Sequence, residues 1–194
     1  MLSALARYGH PTGLDLHPLA LALAQVHLTS PYPLLQASIL HLPLASGSLD
    51  LITTFDVLYH RAVIDDGLAL AEFFRVLKPD GWLLIRVPAL ESLRGAHDRI
   101  VHTRQRYTQA ELAIKLRQAG FRVQRLTYAN TLLFPLIYLR RILAGRRPDP
   151  ASDVELPTPI LNRILEFILK VENQWLKHLD LPIGVSLFAL AQKP

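Results

Sequence analysis

The sequence predicts an α/β chain: a mostly parallel sheet with helices on both faces. Three observations predict it. Two apolar runs of strand length, 49–54 and 82–87, bracket a helical stretch at 64–77. That stretch closes on Lys78-Pro79-Asp80-Gly81, where Pro and Gly stop a helix and Lys sits where a cation favours its C-terminus. A last pair of strand-like runs, 121–128 and 186–192, closes the pattern. Strand, helix, sharp stop and strand form a βαβ unit, and such units build parallel sheets with helices on both faces.

At 194 residues the chain reads as one domain, with a core at 1–130, a helical insertion at 131–183 and a final strand at 184–194. Hydrophobic residues make up 51% of it, yet no unbroken apolar run approaches the roughly 20 residues of a membrane span. There is no cysteine, which excludes disulfides and thiolate metal sites. The first residues lack the basic, apolar and small-residue layout of a signal peptide, so the cytoplasm is the default compartment. A net charge of +5 allows attraction to anions. Most of the basic residues follow Arg94 and are not interleaved with aromatics, so no nucleic-acid partner is expected.

Taken in order, residues 2–8 read as the end of a helix capped by Gly9. Residues 12–16 form a short strand that ends in a carboxylate, and Pro18 opens the next helix, 19–27. Asp15 stands where Rossmann-like folds place an acid for ribose hydroxyls; a solvated Asp that opens the next helix is the equal alternative. Pro31 and Pro33 lead into a third strand, 34–39, and 42–48 is turn chemistry before the strand at 49–54. A helix leading directly into a strand places the first sheet strand upstream. The nine glycines are scattered singly, with no G-x-G to cradle a cofactor.

Three ordered stretches carry a family resemblance: Gly13-Leu14-Asp15-Leu16-His17-Pro18, Leu42-Pro43-Leu44 with Gly47-Ser48-Leu49-Asp50, and Arg75-Val76-Leu77-Lys78-Pro79-Asp80-Gly81. They resemble class I S-adenosylmethionine-dependent methyltransferases of the broad type 11 group, which methylates small molecules. Arg106-Tyr107-Thr108 and Ala119-Gly120-Phe121 resemble a subset of the same family. The resemblance implies a Rossmann-like fold that binds S-adenosylmethionine. The expectation is that Met1 lies within a longer natural chain, with a true remnant that lacks the first strand and its glycine loop as the alternative.

By the same resemblance, Asp15 holds the ribose hydroxyls, and Leu16 packs on the adenine. Ser38 and Ile39 lie at the adenine edge, with a hydroxyl where the family often has a carboxylate, and Thr54 and Phe55 lie near the methionine part. Tyr59 and His60 follow at the carboxyl edge of the sheet, where open α/β sheets bind ligands. His60 is the general-base candidate because imidazole titrates near neutral pH; packing of Tyr59-His60 after the strand is the plainer alternative. His97, Arg106 and Tyr107 fall in a basic stretch, 89–105 and its continuation, that borders the acceptor mouth in the subset. His97, Asp98 and His102 lack a strong metal-ligand signature, and no metal is expected.

The expected function is therefore methyl transfer from S-adenosylmethionine to a small-molecule acceptor, hydrophobic or anionic. Two alternatives stay open: a catalytically inactive methyltransferase-like binding or scaffold module, and an NAD(P)-dependent oxidoreductase, in which Asp15 would also serve a ribose. In the insertion, 132–139 is apolar and followed by four arginines, and 148–159 reads as an exposed linker. Leu161, Ile164, Leu165, Ile168, Trp175, Leu176 and Leu179 then share one helical face. Three uses are open to it: a cover over the sheet, a lid over a hydrophobic acceptor, or peripheral membrane contact through 131–147.

Overall fold

The computed structural model describes residues 2–28, 30–144 and 158–194. A short helix α1 (Leu2–Leu5) precedes strand β1 (Gly13–Asp15), helix α2 (Pro18–His27) and strand β2 (Leu34–Gln36). Strand β3 (Leu49–Phe55), helix α3 (Asp66–Val76) and strand β4 (Leu77–Pro88) form the expected βαβ unit. Helices α4 (Ala96–Ile100) and α5 (Gln109–Gln118) lead to β5 (Arg122–Ala129), then α6 (Phe134–Ala144), α7 (Pro159–Leu176) and the last strand β6 (Ser186–Gln192). Residues 148–157 of the expected linker lie outside the described residues. Among the described residues no helix is long and apolar enough to cross a membrane.

The sheet is mixed, not mostly parallel. β3 and β4 pair in parallel, but β6 lies between β4 and β5 and runs antiparallel to both, in the order β3-β4-β6-β5. One reversed strand at that position makes two of the sheet's three pairings antiparallel. β1 and β2 form a separate parallel pair. Among the described residues one edge of β1 and one edge of β3 have no strand partner.

The alternation of β4 sorts the two faces. Leu83, Ile85 and Val87 are buried against α3 and α5, together with Leu70 and Phe73 of α3 and Leu112 and Leu116 of α5. Each such side chain contributes about 1.5–3 kcal/mol by leaving water. Leu84 and Arg86 point to the other face, which α7 covers in part. Helices thus lie on both faces of the four-stranded sheet.

The end of α3 departs from expectation in an instructive way. Lys78-Pro79-Asp80-Gly81 does break the helix, but as a bulge within β4: Leu49 pairs with Leu77 and Leu51 with Trp82, so residues 78–81 loop out. Asp80 takes a left-handed φ of 62° there. Lys78 pairs with Asp50 at 2.8 Å rather than with the helix terminus. Lys193 serves that terminus instead, and its Nζ donates to the carbonyls of Phe74 at 2.7 Å and Leu77 at 2.8 Å.

α7 also differs. Its expected apolar face does not lie flat on the sheet, for Leu161, Ile164 and Trp175 remain exposed. The C-terminal half covers the sheet through Leu169, Glu172 and Leu176. Glu172 is buried because its carboxylate accepts the backbone N–H groups of Asn130 and Leu132, where the chain turns from β5 into α6.

Candidate functional site

The carboxyl ends of β1, which pairs in parallel with β2, and of β3, which pairs in parallel with β4, are two ledges that carry the candidate polar groups. At the first, Asp15 ends β1, and its Oδ1 accepts the His17 N–H at 2.8 Å, which fixes the turn into α2. The carboxylate is exposed, and its Oδ2 has no hydrogen-bond partner among the described residues. Leu16 beside it is 52% exposed, an apolar surface held out to solvent. Ser38 Oγ accepts the Leu40 N–H at 3.2 Å and so closes a local turn, while Ile39 packs partly buried against the core.

At the second ledge, Thr54 and Phe55 point to opposite faces of β3. Thr54 is buried on the α3 side, and its Oγ1 has no hydrogen-bond partner. Phe55 meets Phe188 edge to face on the other side, with ring centroids 6.0 Å apart. Asp56 follows with a left-handed φ of 60°. Its N–H donates to the Arg86 carbonyl, and its Oδ2 lies 3.2 Å from Arg86 Nη2. Burial pushes the Asp56 carboxyl above its ordinary range, and the Arg86 guanidinium only partly offsets this.

His60 accepts the Ala62 N–H at Nδ1, 3.1 Å away. In the neutral ring that bond puts the proton on Nε2, so the outward nitrogen is a donor. The ring of His102 meets it edge to face at 5.7 Å. Tyr59 is buried, and burial raises its phenol above the ordinary value, so it stays protonated at neutral pH. His97 is exposed on α4.

The two remaining substrate-side expectations fall inside the fold. Arg106 Nε and Nη2 grip Asp98 at 2.9 and 3.2 Å, and Nη1 donates to the Ala89 carbonyl. Asp98 in turn accepts the Gly95 N–H at 2.7 Å. Tyr107 is 1% exposed and donates its hydroxyl to Asp66 Oδ2 at 2.8 Å. Its backbone is fixed between Pro88 and Leu90. Burial, then that carboxylate, pushes the phenol further up. These side chains hold the 95–107 segment against the end of β4, and neither is exposed to meet an acceptor.

Sequence reasoning passed over Arg86, the cation that faces Asp56 on the α7 side of the sheet. A signal was present: Arg86 interrupts an apolar strand at a position alternating with Ile85 and Val87. It also passed over Glu172, whose mostly polar sequence neighbours, Lys170, Asn173 and Gln174, give no hint that backbone donors await it.

Residues 1–85 match the family model described as a methyltransferase domain. A Mycolicibacterium smegmatis protein, described as a "probable S-adenosylmethionine-dependent methyltransferase", is 32% identical over 104 residues. That alignment takes in 50% of this chain, and the chain spans only 39% of that relative. Among solved structures, a chain of the "complex between the Haloferax volcanii Trm112 methyltransferase activator and the putative methyltransferase" superposes with a TM-score of 0.64 at 18% identity. That superposition covers 100% of this chain and 77% of the other. Haemonchus contortus phosphoethanolamine N-methyltransferase 2, solved with S-adenosyl-L-methionine, superposes with a TM-score of 0.60 at 19% identity, covering 99% of this chain and 45% of that one. At such identities the superpositions speak for the fold.

Proposed function

We propose that the chain serves S-adenosylmethionine-dependent methyl transfer to a small-molecule acceptor, since residues 1–85 match the model of a methyltransferase domain and the described residues have a methyltransferase-like fold. The observation that carries this reading is the pairing of the exposed Asp15 carboxylate with the exposed Leu16 at the carboxyl end of β1. A carboxylate with an uncommitted oxygen suits two adjacent ribose hydroxyls, and an apolar side chain beside it suits the face of an adenine ring.

S-adenosylmethionine supplies an electrophilic methyl group on a sulfonium when bound. The chain's own part is to hold the acceptor in line and to manage a proton where the acceptor carries one. Asp15 and Leu16 would bind the adenosine half, with Ile39 behind them. Thr54 stands at the carboxyl end of β3 where the family resemblance puts the methionine half, with its Oγ1 buried and partnerless. At the acceptor side, His60 with Nδ1 engaged would orient an oxygen by donating from Nε2. Asp56, whose carboxyl burial pushes above its ordinary range and which pairs with Arg86, is a second polar group on the same ledge. Tyr59 would wall the site as a neutral phenol.

Calorimetry with S-adenosylhomocysteine tests this. Binding is expected for the chain and a loss of ten-fold or more for Asp15→Ala, the equivalent of about 1.4 kcal/mol. Binding that is absent, with the fold intact by circular dichroism, favours the inactive scaffold. Binding of NAD(P) in its place favours the oxidoreductase.

A further inference from the structure

A cavity of about 460 Å³ lies between the sheet and the C-terminal half of α7. That falls within the roughly 300–1,000 Å³ typical of small-molecule sites. Half of its lining residues are apolar, with Leu84, Ala129, Phe188 and Leu190 from the sheet and Leu169 and Leu176 from α7, and the other half are polar.

Most polar groups on its lining are already committed. Arg125 pairs with Asp180 and donates to the Leu176 and Leu179 carbonyls. Glu172 accepts two backbone N–H groups. Thr127 Oγ1 donates to the Tyr128 carbonyl and accepts the Leu181 N–H. Arg86 differs. One terminal nitrogen meets Asp56, while its buried Nε has no hydrogen-bond partner. A buried guanidinium N–H left unpaired costs free energy, and an anionic oxygen is the partner that best relieves it.

We propose that this cavity binds a small molecule with an apolar body and one anionic oxygen group, the body lying under α7 and the oxygen group on Arg86. The inference rests on the methyltransferase reading in so far as the molecule is the acceptor. Arg86 joins the cavity to Asp56, at the carboxyl end of β3, so the bound molecule reaches the ledge where transfer would occur.

The test uses 1-anilinonaphthalene-8-sulfonate, an apolar body with one sulfonate, titrated by fluorescence. One saturable site is expected. Arg86→Met should weaken it about ten-fold or more, a loss of about 1.4 kcal/mol. Leu190→Trp, which fills the cavity from the sheet, should abolish it. Decanoate should displace the dye at lower concentration than decanol. Phe167→Ser, on the exposed side of α7, should change nothing. Binding indifferent to Arg86→Met, binding lost with Phe167→Ser, or dye displaced by S-adenosylhomocysteine would each overturn the assignment. Calorimetry with S-adenosylhomocysteine on the same samples separates the two readings. Cofactor binding without the dye site removes the cavity assignment; the dye site without cofactor binding leaves the cavity and removes the methyltransferase reading.

Discussion

Arg106 and Asp98 form a two-pronged ion pair in which Nε lies 2.9 Å from Oδ1 and Nη2 3.2 Å from Oδ2, with side chains only 6% and 2% exposed. Burial pushes the Asp98 carboxyl up, but the Arg106 hydrogen bonds and the Gly95 N–H outweigh it and hold the group below its ordinary range. The pair sets the path of residues 95–106 over the end of β4, because Arg106 also holds the Ala89 carbonyl.

Breaking one partner should cost more than removing both. Asp98→Asn leaves a buried guanidinium without its counter-charge, and a loss of about 3–5 kcal/mol is expected. Asp98→Leu combined with Arg106→Met should cost less than either of those single changes alone. Urea unfolding of Asp98→Asn, Asp98→Leu, Arg106→Met and the double variant measures this. Single changes within about 1 kcal/mol of the parent would show that the pair is not desolvated as described.

A second expectation concerns acid. Glu72 accepts from Arg75 Nε and Nη2 and from the Leu42 N–H, and the Arg75 hydrogen bonds lead in taking its carboxyl from an ordinary 4.5 to about 2. A carboxyl held below its unfolded value stabilises the fold fully above the unfolded pKa. That contribution fades as pH falls through the folded pKa. The parent should therefore lose stability between about pH 4.5 and 2. Glu72→Gln should flatten that part of the curve, as read from urea midpoints across a pH series. Identical slopes in parent and variant would count against it.

Gly184 enters β6 against the backbone of β5. A Cβ there would stand 2.3 Å from the Ala129 carbonyl oxygen and 3.0 Å from its nitrogen. Since backbone cannot swing aside as a side chain can, Gly184→Ala should cost about 1–3 kcal/mol. Gly9→Ala, with nothing within 4 Å of the added carbon, should stay within about 0.5 kcal/mol. Thermal denaturation of both compares them directly.

The His60 tautomer is open to direct observation. With the Ala62 N–H donated to Nδ1, nitrogen-15 NMR of the neutral ring should show the proton on Nε2. A proton on Nδ1 would contradict the hydrogen bond and restore His60 as a base that faces outward.

Local chemistry carried much of the fold into the sequence. Thr108 and Glu111 form the reciprocal cap that their spacing announces, with Thr108 N–H and hydroxyl both on Glu111 Oε2. Gly120 adopts the left-handed φ of 94° expected after a helix. What local chemistry could not carry was pairing between distant segments. The direction of β6 depends on where α7 delivers the chain, and nothing in residues 186–192 encodes it. The same limit governed the site. Asp15 announces itself through its place after a short strand, whereas Arg106 and Tyr107 looked outward because their partners, Asp98 and Asp66, become neighbours only on folding. Arg86 hid for the opposite reason: a lone cation in an apolar strand reads as noise until the far face of the sheet is drawn.

Glu172 has one more consequence. By accepting the N–H groups of Asn130 and Leu132, it fastens the C-terminal part of α7 to the point where β5 hands over to α6. The half of α7 beyond that fastening carries exposed Ile160, Ile164 and Phe167 and sits outside the packed core. Division of labour follows along a single helix. Leu169, Glu172 and Leu176 face the sheet and tolerate little change, while residues 160–168 can drift in sequence at small cost to folding. A lineage, or an engineer, could rewrite that free-running half and leave the rest of the molecule as it stands.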